Sequence, residues 1–342
     1  MLIDMHAHVI PDELAPSGSG PDGPRGLRVE RAEGDQSARV LVSERMRFPT
    51  PSIWFSAERR LEAMDKDGVD MEVVSPMPAL LDYSVEPLEG RELSRRVNEF
   101  VVRLCDAAPD RLLGLGMVAL QGPEVATAQL SEIAESGLKG VEIASNVNGA
   151  SLGEETYLEF FDEAARLGLA VFVHGLNPTM GSRMPRAAGA SFAVGAEMTV
   201  AVASVVMSGL SEKCPDLRLA FSHGGGGFAA VLPRAHYFWG RTWNEEPPEK
   251  APSDQEGNPV PSPSEQARHF YYDALMFDRR AMRMAIEILG PTRMLVGTDF
   301  PAMDREHPAG KTLRSMGLSD EVVEQITWTN CFSFLGMEAP KP

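Results

Sequence analysis

Short β-branched or apolar runs alternate along the chain with longer stretches whose apolar positions recur every three or four residues. Eight runs read as strands: Leu2 to His8, Val69 to Ser75, Leu112 to Leu120, Gly140 to Ser145, Ala170 to His174, Leu217 to His223, Phe270 to Ala274 and Arg293 to Asp299. Several are apolar throughout, as in LAVFV before His174 and RLAFS before His223, which is how strands covered on both faces read. The stretches between them carry helix punctuation. Ser56 caps a run with Leu61 and Met64 on one face and Gly68 as its stop. Residues 123–137 open on Pro123 and close on Ser136-Gly137, and Glu154 to Gly168, Val194 to Leu210, Arg279 to Gly290 and Ser319 to Gly336 follow the same plan. Strand followed by helix, eight times over, predicts an α/β fold of the closed (β/α)₈ barrel type. The 342 residues exceed the roughly 250 typical of that fold, so we expect one barrel domain over 1–342 with insertions.

Two segments interrupt the alternation. Residues 12–52 begin DELAPSGSGPDGPRG, too rich in Pro, Gly and Ser for a core element, and residues 241–266 contain EEPPEKAPSDQEGNPVPSPS. Both are expected to leave the barrel on the side where loops carry function, as lids or subunit contacts.

Charge narrows the partners. Lys and Arg number 32 against 49 Asp and Glu, a net charge of -17, so the surface repels nucleic acid and anionic membranes. The three cysteines have neither CxxC spacing nor an even count, which argues against a disulfide framework or a thiolate zinc site. No run has membrane-spanning length, and MLIDMHAHVIP lacks the basic start of a secretion signal, so a soluble cytoplasmic protein is expected.

Four of the seven histidines end or lie within predicted strands. His6 and His8 are two apart, so on a strand both rings face the same way and can grip one cation. His174, His223 and Asp299 stand at carboxyl ends of three further strands, the rim on which barrel enzymes build active sites. Imidazole and carboxylate without thiolate suit Zn²⁺, Mn²⁺ or Fe²⁺ with a position open for water or substrate. Glycines 224–227 after His223 permit close backbone approach and can present amides to an anion, but lack the pattern of a nucleotide loop.

The motifs IDMHAHVIP, VFVHGLNP, PDLRLAFSHGGGGFA and MLVGTDFP, with LEAMDKDGVD and the closing WTNCFSFLG, run in one order along essentially the whole chain. In these the sequence resembles the second amidohydrolase group, the family of aminocarboxymuconate-semialdehyde decarboxylase and related aromatic-acid decarboxylases. The resemblance implies one divalent metal ion, Zn²⁺ first with Mn²⁺ and Fe²⁺ as alternatives, held by His6, His8, His174 and Asp299, with His223 as the neighbouring acid/base. It implies decarboxylation of an aromatic or muconate-type carboxylic acid. The alternative is metal-dependent hydrolysis or hydration of a ring-fission product, lactone or amide. Two arginines are implied as carboxylate ligands: Arg234 through GGFAAVLPR, and Arg47 in ERMRFP, with Arg45 as the other choice there. Planar guanidinium suits a carboxylate because its fork pairs both oxygens. A homodimer is also implied, its first insertion reaching the partner's site. The segment after His174 departs from the pattern in lacking tryptophans, which points to a different acid. Glu197 in VGAEMTVA matches a family glutamate whose role stays open between dipole, packing and function.

Overall fold

The computed structural model describes all residues except 17, 21–22, 33–34, 44–45, 186–187, 254, 256 and 340–342. The chain forms two compact units, Met1–Ile143 with Val296–Lys311, and Ala144–Leu295 with Thr312–Pro342. In the first unit the strand Ile3–Val9 pairs in parallel with Met71–Pro76, which pairs in parallel with Leu112–Gly114. Beside them Gly116–Met117 pairs in parallel with Gly140–Ala144. In the second unit Ala170–His174, Arg218–Phe221, Tyr271–Asp273 and Met294–Leu295 are joined in that order, again in parallel.

These are the eight expected strands, the third divided at Leu115. Every residue of Ile3–Val9 and of Ala170–His174 is buried, which explains why the fifth strand reads as a continuous apolar run. Several strands end earlier than the apolar pattern predicts, the third at Met117 among them. The sixth stops at Phe221, and the eighth at Leu295. His223 and Asp299 therefore lie beyond the strands, both with left-handed backbone, φ 51 and φ 59. Gly224 donates its N–H to Asp273, whereas the Asp299 segment stays bonded to the first strand, Asp299 N–H to the His6 carbonyl and His8 N–H to the Phe300 carbonyl, both at 2.7 Å, with Asp4 accepting from the Thr298 N–H.

The helix Ala57–Asp67 begins where Ser56 accepts a hydrogen bond from the Arg59 N–H and ends at Gly68, φ 73. The cap contributes about 1 kcal/mol. Its buried positions are Arg60 and Met64, so the inward face carries a charge as well as an apolar group. A 20-residue helix, Pro87–Asp106, lies between the second and third strands and buries Leu93, Val97, Phe100, Val101 and Leu104, the spacing of one helix face. It opens on Pro87 without a side-chain cap at Glu86. The helix Phe228–Gly240 follows His223 and its glycines.

The first insertion is more ordered than its Pro-, Gly- and Ser-rich opening predicts. Arg28–Ala32, Asp35–Val42 and Arg47–Thr50 make an antiparallel sheet, with Leu27, Leu41 and Val42 buried. The second insertion is irregular up to Ser262, which caps the short helix Pro263–Ala267 in a reciprocal box with Glu265. Among the described residues no helix is long and apolar enough to cross a membrane.

Candidate metal centre

His6 and His8 sit in the middle of a wholly buried strand, and their rings turn edge to face with the two Nε2 atoms 3.0 Å apart. Asp299 Oδ1 stands 3.0 Å from His8 Nε2 and 3.6 Å from His6 Nε2. Ligands each about 2.1 Å from a shared ion, at angles of about 90–120°, stand about 3.0–3.6 Å apart, so this spacing fits a divalent cation between them. On its far side, His8 Nδ1 lies 3.2 Å from Ser75 Oγ and 3.6 Å from the carboxylate of Glu142. Burial pushes the Glu142 carboxyl above the usual range, and His8 pulls it back.

A buried ion network backs this strand. Arg60, fully buried, donates to Glu72 at 2.8 Å and to the carbonyls of His8 at 2.9 Å and Ile53 at 3.1 Å. Arg305 pairs with Asp4 at 2.9 Å and with Glu72, and its guanidinium lies 3.8 Å from the centre of the Phe300 ring. Asp4 accepts from the N–H groups of His6 and Thr298 at 3.2 and 3.1 Å. The strand register shifts between Asp4 and Ala7, so Asp4 and the histidines need not share a face despite the even spacing. Burial lowers the Arg60 pKa to about 10 against the pull of Asp4, so the group stays charged near neutrality. Two acids and two arginines thus tie the first and second strands, the helix Ala57–Asp67 and the segment bearing Asp299, which holds the ligand-bearing backbone in place.

In the second unit His174 closes its strand and its Nδ1 contacts the Gly175 carbonyl at 3.1 Å. A carbonyl only accepts, so Nδ1 carries the proton and Nε2 presents its lone pair. The His223 ring meets that of His174 edge-on, centroids 5.1 Å apart. His6, His8 and Asp299 of the first unit are buried, and His174 is buried in the second.

The turn after His223 is held by Asp273, whose Oδ1 accepts from Gly224 N–H at 2.9 Å and Leu275 N–H at 3.1 Å. A Cβ at Gly226 would overlap the Gly195 carbonyl oxygen, and φ there is +66. Close backbone packing thereby explains Gly226, while a Cβ at Gly224 would meet the Met276 side chain. Gly226→Ala is expected to cost about 2 kcal/mol or more, read as a lowered melting temperature; an unchanged transition would refute this packing role.

Glu197, buried in the helix Val194–Met207, accepts from Asn146 Nδ2 at 2.9 Å and from the Thr179 N–H and hydroxyl at 2.9 and 3.1 Å. Asn146 also donates to the carbonyls of Leu176 and Asn177. Together they clamp the segment that follows His174, a positional role the sequence left open.

The sequence model of the amidohydrolase family matches residues 3–336. The chain belongs to the amidohydrolase family. It is 28% identical to the 2-amino-3-carboxymuconate-6-semialdehyde decarboxylase of Dictyostelium discoideum over 100% of this chain and 93% of that protein. The crystal structure of 5-carboxyvanillate decarboxylase LigW from Sphingomonas paucimobilis superimposes with a TM-score of 0.69 at 25% identity, covering 82% of each chain. A dihydroxybenzoic acid decarboxylase from Polaromonas, solved with bound manganese and the inhibitor 2-nitroresorcinol, superimposes with a TM-score of 0.70 at 22% identity, covering 82% of this chain and 85% of that one. The fold is the (β/α)₈ barrel of these amidohydrolases, and its relatives and structural neighbours are decarboxylases.

Against that family frame the two arginines expected to hold carboxylate are both exposed. Arg47 pairs with Glu30 at 3.3 Å, and the Arg234 guanidinium lies 5.0 Å from the Phe238 ring centre. Arg45 lies outside the described residues. Sequence reasoning missed Glu142, Ser75 and Asp273. Only the odd acid inside the apolar run GVEIA signalled one of them.

Proposed function

We propose that this amidohydrolase is a metal-dependent carbon–carbon lyase that releases CO₂ from an aromatic or muconate-type carboxylic acid. The mutual spacing of His6 Nε2, His8 Nε2 and Asp299 Oδ1 carries this reading, since it suits one shared cation. In our assignment His6, His8, His174 and Asp299 are the ligands. When bound, the cation polarises a substrate oxygen and so favours negative charge on the reacting system.

His223 is our proton donor. Its imidazole delivers a proton to the carbon that bears the carboxylate, which becomes tetrahedral. The bond from that carbon to the carboxylate then breaks, CO₂ leaves, and the electron pair returns to the conjugated system. His223 recovers its proton from solvent. Burial of the ligand side chains limits competing water around the reacting carbon.

Three imidazole nitrogens and one carboxylate oxygen favour zinc as the resident ion, and the manganese in the Polaromonas decarboxylase is the competing assignment. Arg47 and Arg234 are our candidates for the substrate carboxylate. Their exposure, with that of Val231, Tyr237 and Phe238 along the Arg234 helix, supports a homodimer in which a second copy completes the site. The unbroken family match across both units supports reading the chain as one catalytic domain. An odd number of cysteines without regular spacing supports a reducing, cytoplasmic setting.

The test is a panel of aromatic and muconate-type acids assayed for CO₂, with metal content measured on the same sample. We expect CO₂ equimolar with the acid consumed for at least one member. Consumption of a compound with water uptake and no CO₂ would replace this function by hydrolysis.

A further inference from the structure

Glu142 lies on the buried strand Gly140–Ala144 with no hydrogen bond of ordinary geometry to either carboxylate oxygen among the described residues, the Ser75 hydroxyl standing near enough only to favour its charged form. A buried carboxylate without donors is costly, and natural interiors rarely keep one unless something balances its charge. Its described neighbour is His8 Nδ1 at 3.6 Å, the nitrogen turned away from His6 and Asp299. That same nitrogen contacts Ser75 Oγ at 3.2 Å, while the Ser75 hydroxyl donates to the Ala7 carbonyl at 3.4 Å. A hydroxyl has one proton. With it directed at a carbonyl, the oxygen accepts from His8, which puts the ring proton on Nδ1 and the lone pair on Nε2.

We infer that Glu142 is a positioning residue of the metal centre: with Ser75 it holds His8 in the Nδ1–H form, and its charge together with that of Asp299 balances a dication. The inference rests on the metal-centre reading above and adds to it a residue that does not touch the ion. Carboxylate–imidazole–metal relays of this kind orient the ring and raise its basicity toward the ion. The network of Asp4, Glu72, Arg60 and Arg305 is internally paired, two acids to two bases, so it leaves the charge of Glu142 unbalanced.

The test compares wild type, Glu142→Gln, Glu142→Asp, Ser75→Ala and Asp299→Asn as full chains. Zinc dissociation constants are measured by chelator competition, and melting temperatures are measured for the metal-free proteins. Glu142→Gln is expected to bind Zn²⁺ about 10–100-fold more weakly, with a metal-free melting temperature equal to wild type or higher. A merely structural carboxylate would give the reverse, a lowered metal-free melting temperature with unchanged zinc affinity, and that result overturns the inference. Glu142→Asp, which keeps the charge, should recover much of the affinity, and Ser75→Ala should lose part of it. If Glu142→Gln does not fold, wild-type zinc affinity in Ser75→Ala overturns the inference equally. Wild-type protein that binds no Zn²⁺, or an Asp299→Asn variant that binds as wild type does, would sink the metal centre itself and the role of Glu142 with it.

Discussion

Decarboxylation is expected to fall by about a thousandfold or more when the metal is chelated, and to a similar extent in Asp299→Asn. The physical reason is charge. Protonating the carbon that bears the carboxylate needs an electron-rich substrate, and a bound dication would favour it by holding a substrate oxygen as the anion, an effect worth several kcal/mol where the surrounding side chains are buried. Asp299 is the one acid among the four ligands we propose, so its loss would remove the one anionic donor from that set. Asparagine is the better probe than alanine because residue 299 has φ 59, a conformation asparagine adopts more readily than other side chains. Asp299→Ala tests the same ligand at some added backbone strain, about 1 kcal/mol or more, so a folding control by circular dichroism accompanies it. Restoring Zn²⁺ or Mn²⁺ after chelation should restore turnover in wild type. Full activity in metal-depleted protein would refute the mechanism at its root.

What the sequence made legible follows from where each residue's chemistry meets a local pattern. His6 and His8 were readable because a two-residue spacing on a strand fixes a common face without knowledge of any partner. His174 was readable because its strand ends where the apolar run ends. His223 and Asp299 were placed on strands, but both have left-handed backbone beyond the strand ends. The N–H groups next to them, of Gly224 and Thr298, are held by Asp273 and Asp4, 49 and 294 positions away, which leave no trace in a local apolar pattern. The long-range charges were beyond reach for the same reason: Arg305 and Asp4 are 301 positions apart, and Arg60 looks like any polar position of an amphipathic helix. Glu142 hides inside a strand whose other residues are apolar. The sheet in the first insertion was obscured by composition, since Pro, Gly and Ser near its start outweighed the short β-prone stretch ARVLV. Each miss is a case in which tertiary partners, rather than nearest neighbours, decide the local structure.

His223→Asn is expected to lower kcat by about 10²–10⁴-fold while metal content stays at the wild-type level. Asparagine suits position 223 as it suits 299: φ is 51, so a residue tolerant of left-handed backbone keeps the turn that the Asp273–Gly224 hydrogen bond sets. The imidazole then disappears with little disturbance of the backbone around it. Its loss removes the group that delivers a proton to the reacting carbon, and the amide has no comparable acidity. The metal measurement separates this role from ligation, because a residue that held the ion would lose metal and rate together. KM should change far less than kcat if the imidazole acts on the reacting carbon rather than in substrate capture. His174→Asn provides the contrast, since loss of a ligand nitrogen should reduce metal content and activity in parallel. Should the 223 variant turn over at the wild-type rate, the proton must come from another group, and the assignment of His223 would fall while the metal site stood.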